Sequence, residues 1–175
     1  MNKKRQFVET YLPSARATQT KTGIKRIATL AQAAIESGWG KHAPGNMLFG
    51  VKDTDGVNGN EQLLRTIEYS KRSDLKFPVI ISVTPVVRNG QKYFKYVVKD
   101  YFRKYDTPEQ SFTDHANFFI RNKRYKKALA VKDDPYAFLQ EVARAGYATD
   151  PNYYAKCRKV AMLIEREVRK IEKSN

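Results

Sequence analysis

Apolar positions along the chain change their period twice, and the changes divide the sequence into helical, β and helical stretches. Phe7, Val8, Tyr11 and Leu12 fall on one side of a helix expected over residues 3–12. Ile24, Ile27, Ala28, Ala31, Ala34 and Ile35 recur at helical spacing and predict a stronger helix over 22–37. Gly38 and Gly40 end it, because glycine leaves a helix most readily. Residues 41–62 are rich in Gly and Asn, with few periodic apolar positions, and read as loop. The runs "LLRTIEYS" and "FPVIISVTPVV" are then dense in β-branched residues, and Asn89-Gly90 precedes "KYFKYVV". Asn-Gly between β-rich runs is a strong hairpin signal, so strands are expected near 63–69, 78–87 and 92–98.

Helical spacing returns behind a start signal used three times. Thr107 caps, Pro108 takes the first position and Gln110 lies three beyond the cap. Asp134 and Pro135 repeat the arrangement, with Gly146 as the stop, and Asp150 with Pro151 opens the last helix. Phe112, Ala116, Phe119 and Ile120 give the first of these helices its apolar face. The last carries a stripe of Tyr154, Cys157, Val160, Ala161, Ile164, Val168 and Ile171, which reads as ordinary core packing. Its basic opposite face is either solvated or free to touch an anionic polymer. The class is therefore α+β, with helices around one β insert at about 63–98. No internal repeat or low-complexity linker interrupts residues 1–175, which read as one domain and a monomer.

Composition narrows the partners. A hydrophobic fraction of 41% with 12% aromatics describes a globular chain. The 11 tyrosines suit either a wet groove for a polar, ringed ligand or a small core whose hydroxyls reach the surface. The balance of 33 Lys+Arg against 18 Asp+Glu gives +15, a field that attracts polyanions. Nucleic acid, anionic membrane and an acidic cell-wall polymer all qualify on charge. The basic residues cluster at Lys3–Arg5, Arg121–Lys127 and Arg166–Lys173, but no nucleic-acid-binding motif accompanies them, so nucleic acid is not expected. The lone Cys157 excludes an internal disulfide, and His42 with His115 makes a poor zinc site, so no metal or cofactor is expected. No apolar run is long enough for a membrane span or follows the basic start as in a secretory signal, which leads to an expectation of cytoplasmic synthesis.

The chemistry centres on Glu36. It lies about 120° from Ile24 on the helical wheel, at the edge of the apolar stripe and in the last turn. The partial negative charge of a helix C-terminus disfavours a carboxylate there. Ala33, Ala34, Ser37 and Gly38 leave room for a ligand, and Trp39 lowers the local dielectric. Both influences raise a carboxyl pKa, as a general acid at neutral pH requires. The plainer alternative is a solvated glutamate at a helix end.

The stretch "AQAAIESGWGKHAPGNMLFGVK" closely resembles the catalytic segment of the peptidoglycan N-acetylglucosaminidases of glycoside hydrolase family 73. Gln32, Ala33, Glu36, Ser37, Gly38, Trp39 and Gly40 match its first half. Asn46, Leu48, Phe49, Gly50, Val51 and Lys52 match its second, with Met47 as an extra residue. "RTIEYS" resembles the family's T-x-E-Y strand, and "YFRKYDTPEQSFTDHANFF" resembles a further segment in which His115 replaces the usual Tyr. "NKRYKKAL", with Lys123 for Pro, and "AGYATDPNYYAKC" continue the resemblance, which covers about 22–165.

The resemblance implies a lysozyme-like fold, a mainly helical lobe and a small antiparallel β-lobe with a groove between them. It implies hydrolysis of the β-1,4 bond after N-acetylglucosamine in bacterial peptidoglycan glycan strands, without a metal. Glu36 would be the general acid, Glu68 the second carboxylate, and Tyr147 would lie near the N-acetyl group. Trp39, Asn46, Phe49, Tyr69, Asp150 and Tyr153 would bind substrate.

Departures from the family pattern keep alternatives open. A long stretch separates Glu68 from Phe102, so residues 70–90 read as an insertion. A rival alignment through "VTPVVRNGQKY" puts Pro85 or Val86 where the second glutamate belongs. The substrate's own N-acetyl group is an alternative nucleophile. Muramidase or lytic transglycosylase action and a non-catalytic wall-binding module are the rival functions. A chain of this kind acts at the cell wall or periplasm as a released phage endolysin, a secreted effector or a domain of a longer exported protein.

Overall fold

A computed structural model describes residues 2–174. The chain forms two compact units, one comprising the sequence up to Phe49 and from Tyr105 onward, the other Gly50–Lys104.

The first unit is helical: α1 (Lys3–Thr22), α2 (Arg26–Glu36), α3 (Pro108–Arg121), α4 (Lys126–Ala130), α5 (Pro135–Arg144) and α6 (Tyr153–Ser174). Helix α1 runs through Pro13, well past the end expected at residue 12. A proline inside a helix lacks an N–H and costs about 3 kcal/mol. Burial beyond it offsets that cost, because Ala15 and Thr18 continue the buried face of Val8 and Leu12. Gly23, at φ 76, ends α1, so Ile24 lies in the turn before α2 and not inside the helix expected from residue 22. Ile24 is still fully buried.

Helix α2 packs on α1, α5 and α6, and every residue from Ala28 to Ala34 is buried. Phe112, Ala116 and Phe119 of α3 face the same core, but Ile120 is 48% exposed and Ser111 and His115 take its place. Two of the three start signals form as the sequence predicts. Thr107 accepts from Gln110 N, and Asp134 accepts from the amides of Tyr136 and Ala137. Asp150 instead closes a turn over Asn152, and α6 begins at Tyr153. That offset makes Tyr153, not Tyr154, the buried tyrosine of α6, followed by Cys157, Ala161, Ile164 and Val168. Between α3 and α5 the sequence reading placed nothing, and the chain there forms a 3-10 turn at Lys123–Tyr125 and the short α4.

The second unit is an antiparallel sheet of β1 (Glu61–Ser70), β2 (Val79–Arg88) and β3 (Gln91–Arg103), in the order β1-β3-β2. Asn89 and Gly90 turn β2 into β3 with φ of 50° and 72°, the left-handed pair that a two-residue hairpin requires. Strand β3 continues to Arg103, beyond the predicted end at 98, because β1 pairs along its full length. Tyr96 and Val98 are the buried centre of the sheet. The Tyr96 hydroxyl donates to Arg72 O at 2.9 Å and accepts from Leu75 N at 3.3 Å, which ties down the β1–β2 connection. Strand β2 lies at the sheet edge and is exposed along almost all its length.

Candidate active site

Helix α2 delivers Glu36 as its last residue, and the backbone then turns sharply. Ser37 Oγ donates to Ala33 O at 2.6 Å and accepts from Gly40 N at 2.8 Å, binding the turn to the helix. Gly38, Trp39 and Gly40 all take positive φ, of 58°, 62° and 78°. Glycine does so freely, but a tryptophan in that region is strained and persists only where surrounding contacts hold it. The Trp39 ring meets Phe7 edge-on at 5.5 Å. A Cβ on Gly40 would come within 3.2 Å of Tyr11 Cε2, so the glycine also permits α1 to approach.

The Glu36 side chain is open to solvent and has no salt bridge or hydrogen bond among the described residues. Desolvation nevertheless holds its pKa above the ordinary carboxylate value. Solvent reaches the carboxyl, while the surrounding protein displaces part of its hydration. A reachable, partly desolvated carboxyl without a cationic partner is suited to carry a proton to a ligand.

Around Glu36 the helical unit gathers a tyrosine cluster. Burial raises the pKa of Tyr147 and of Tyr153, and the Glu36 charge raises both further. Their rings lie 5.5 Å apart. Gln32 Nε2 donates to the Tyr153 hydroxyl at 3.1 Å. The Tyr147 hydroxyl lies 2.9 Å from His115 Nε2, and the His115 ring stacks on Phe49 at 3.9 Å. Burial pushes the His115 pKa down to about 3, so the imidazole is neutral at physiological pH. Cys157 lies beneath, its thiol pushed up to about 11 chiefly by burial, and is unreactive there.

The other predicted binding residues divide. Trp39 is half-buried beside the Glu36 turn. Phe49 and Tyr153 are only 6% and 5% exposed and act mainly as walls. Asn46 spends both amide hydrogens on backbone carbonyls, Tyr105 O at 2.8 Å and Asp106 O at 3.2 Å, so its first role is to pin its loop. Asp150 caps its turn and pairs with Lys156.

In the sheet unit, Glu68 faces the same side of the sheet as Tyr96, its cross-strand partner, and forms an ion pair with Lys52 at 2.8 Å. Lys52 also pairs with Asp100 and lies 4.6 Å above the Phe102 ring. Asp100 is thus a second carboxylate at the Glu68 position, one that the sequence reading did not single out. Its signal was the β1–β3 register, which sets Leu64 opposite Asp100 and so brings Glu68 and Asp100 to one face. Tyr69 alternates to the opposite face, under the Arg88 guanidinium at 4.0 Å.

Comparison with known proteins agrees with this architecture. A peptidoglycan hydrolase, FlgJ, of Pseudomonas aeruginosa is 34% identical over 167 residues, which cover 91% of this chain and 36% of that protein. The chain therefore spans about a third of the length of that relative. The crystal structure of a peptidoglycan hydrolase mutant from Sphingomonas sp. A1 is similar, with a TM-score of 0.70 and 28% identity over 95% of this chain and 99% of that one. The glycoside hydrolase domain of Salmonella typhimurium FlgJ is similar with a TM-score of 0.67 and 26% identity, over 99% of this chain and 95% of that one. The combination of a helical unit and a small antiparallel sheet is the lysozyme-like α+β fold of those domains. Residues 12–166 match the glucosaminidase family, mannosyl-glycoprotein endo-beta-N-acetylglucosaminidase, and the chain belongs to it.

Proposed function

We propose that the chain hydrolyses the β-1,4 glycosidic bond after N-acetylglucosamine in bacterial peptidoglycan, with Glu36 as the general acid. The environment of Glu36 carries this reading. An accessible carboxyl is kept above its ordinary pKa by desolvation and has no cation to neutralise it. Such a group gives its proton to the glycosidic oxygen as the bond to C1 breaks, and the leaving sugar departs as a neutral alcohol.

The positive charge that develops at C1 is met in one of two ways. Glu68, paired with Lys52, accepts a proton from the attacking water. Alternatively the substrate's N-acetyl oxygen attacks C1, and the Tyr147 hydroxyl, anchored at His115, orients that group. Trp39 supplies an aromatic face for a sugar ring, Asn46, Phe49, Asp150 and Tyr153 support the walls, and Tyr69, on the sheet face opposite Glu68 and covered by Arg88, is left out of the site. The chain acts as a monomer at the cell wall, reached by phage-type release or export.

Digestion of purified peptidoglycan, borohydride reduction and mass spectrometry test the reading. Reduced N-acetylglucosamine ends are expected from the wild type. Glu36→Gln should lower the rate by about 10²–10⁴-fold, the usual worth of general acid catalysis. Reduced muramic ends or anhydro products would mean muramidase or transglycosylase action, and an undiminished rate would remove Glu36 from the chemistry. Glu68→Gln should give a smaller loss, and full activity there would select the N-acetyl route.

A further inference from the structure

We infer that an open cavity of about 600 Å³, formed by the first turns of α1 and the loop after Glu36, binds the acidic peptide stem borne by the glycan. The inference rests on the glycan-cleaving reading above. Phe7, Tyr11 and Trp39 give the cavity its aromatic surface, and Lys3, Lys4 and Lys41 its charge. No carboxylate lines it, and none of the three lysines forms a salt bridge among the described residues. Many other cations of the helical unit are occupied: Lys21 by Glu109, Lys25 by Asp133, and Arg16 and Arg26 by Glu172. Lys4 Nζ lies 5.6 Å from the centre of the Trp39 ring, a cation held over an aromatic face.

The positive φ of Trp39 and the missing Cβ of Gly40 bring the loop against Tyr11 and Phe7, so backbone strain is invested in the shape of this cavity. Four of these six residues, Lys3, Lys4, Phe7 and Tyr11, precede residue 12, where the family match begins. The cavity thus adds a surface outside the matched region to a loop that starts beside Glu36.

The occupant must combine several negative charges with small apolar groups and must lie within a few residues' reach of the cleaved bond. A peptide stem, with carboxylates separated by alanine methyls, meets both demands and is covalently attached to the glycan. A phosphate-rich wall polymer would satisfy the lysines but leave the three rings without apolar partners.

Calorimetric titration with a soluble stem peptide tests this directly, using the wild type, Glu36→Gln and the triple variant Lys3→Gln, Lys4→Gln, Lys41→Gln. Exposed ion pairs are each worth roughly a twofold to fivefold change, so the triple variant should bind about tenfold more weakly. Glu36→Gln should bind as the wild type does. The triple variant should also lose about tenfold in kcat/KM on stem-bearing peptidoglycan while keeping its rate on glycan stripped of stems. Unchanged peptide affinity, an equal loss on both substrates, or tighter binding of a glycerol-phosphate polymer than of peptide would overturn the inference. Peptide binding that survives alongside an active Glu36→Gln enzyme would defeat the catalytic reading instead, so the two failures are separable.

Discussion

Glu36 and His115 show how burial shifts two side chains of the helical unit toward their neutral forms, raising the pKa of the acid and lowering that of the imidazole. Glu36 was legible as a candidate because its position depends only on local helix geometry and the glycines behind it. His115 was legible only as a substitution in a motif. Its meaning, a neutral ring between Phe49 and the Tyr147 hydroxyl, needed α3 and the Gly146 turn to be brought together. Its folded pKa, about 3, is below the ordinary 6.5, so the unfolded chain binds a proton that the folded one refuses. Stability should therefore fall as pH drops from about 6.5 toward 3, by up to about 1.4 kcal/mol per pH unit. The contribution is complete above about 6.5 and shrinks below it. Chemical denaturation of the wild type and His115→Phe at several pH values checks this, and the variant should show a shallower decline in that window. Parallel slopes would mean that His115 is not the group responsible.

At the level of elements, the local signals were the reliable ones. The caps at Thr107 and Asp134 form as their sequences predict because each is completed within one turn. The Asn89-Gly90 hairpin is equally local. Gly90→Val would force a β-branched residue to φ near 72° and should cost about 1–2 kcal/mol, read as a lower denaturant midpoint. No change would mean that the turn relaxes to another type. Element ends were less legible. Helix α1 passes Pro13, and β3 runs to Arg103, because packing and strand pairing supply free energy that the local sequence does not reveal. The switch from Tyr154 to Tyr153 has the same origin, since the Pro151-Asn152 turn sets the phase of α6.

For the whole molecule, charge matters more than any single contact. A net charge of +15 should draw the chain to an anionic wall polymer, and mobile ions should weaken that attraction. Sedimentation with insoluble peptidoglycan should show a several-fold fall in bound protein between about 50 mM and about 300 mM salt, as the screening length shortens. Binding indifferent to salt would show that shape and hydrogen bonding dominate. Amino-acid order alone determined the alternation of helix, sheet and helix, the positions of the caps and hairpin, and the identity of Glu36 as the acid to test. Each of these follows from side chains within a few residues of one another. Tertiary structure alone decided that Lys52 joins Glu68 to Asp100, that His115 meets Tyr147, and that Arg88 covers the Tyr69 ring. Those pairings join residues far apart in the chain, and only strand register and helix packing, settled by the fold as a whole, bring them into contact.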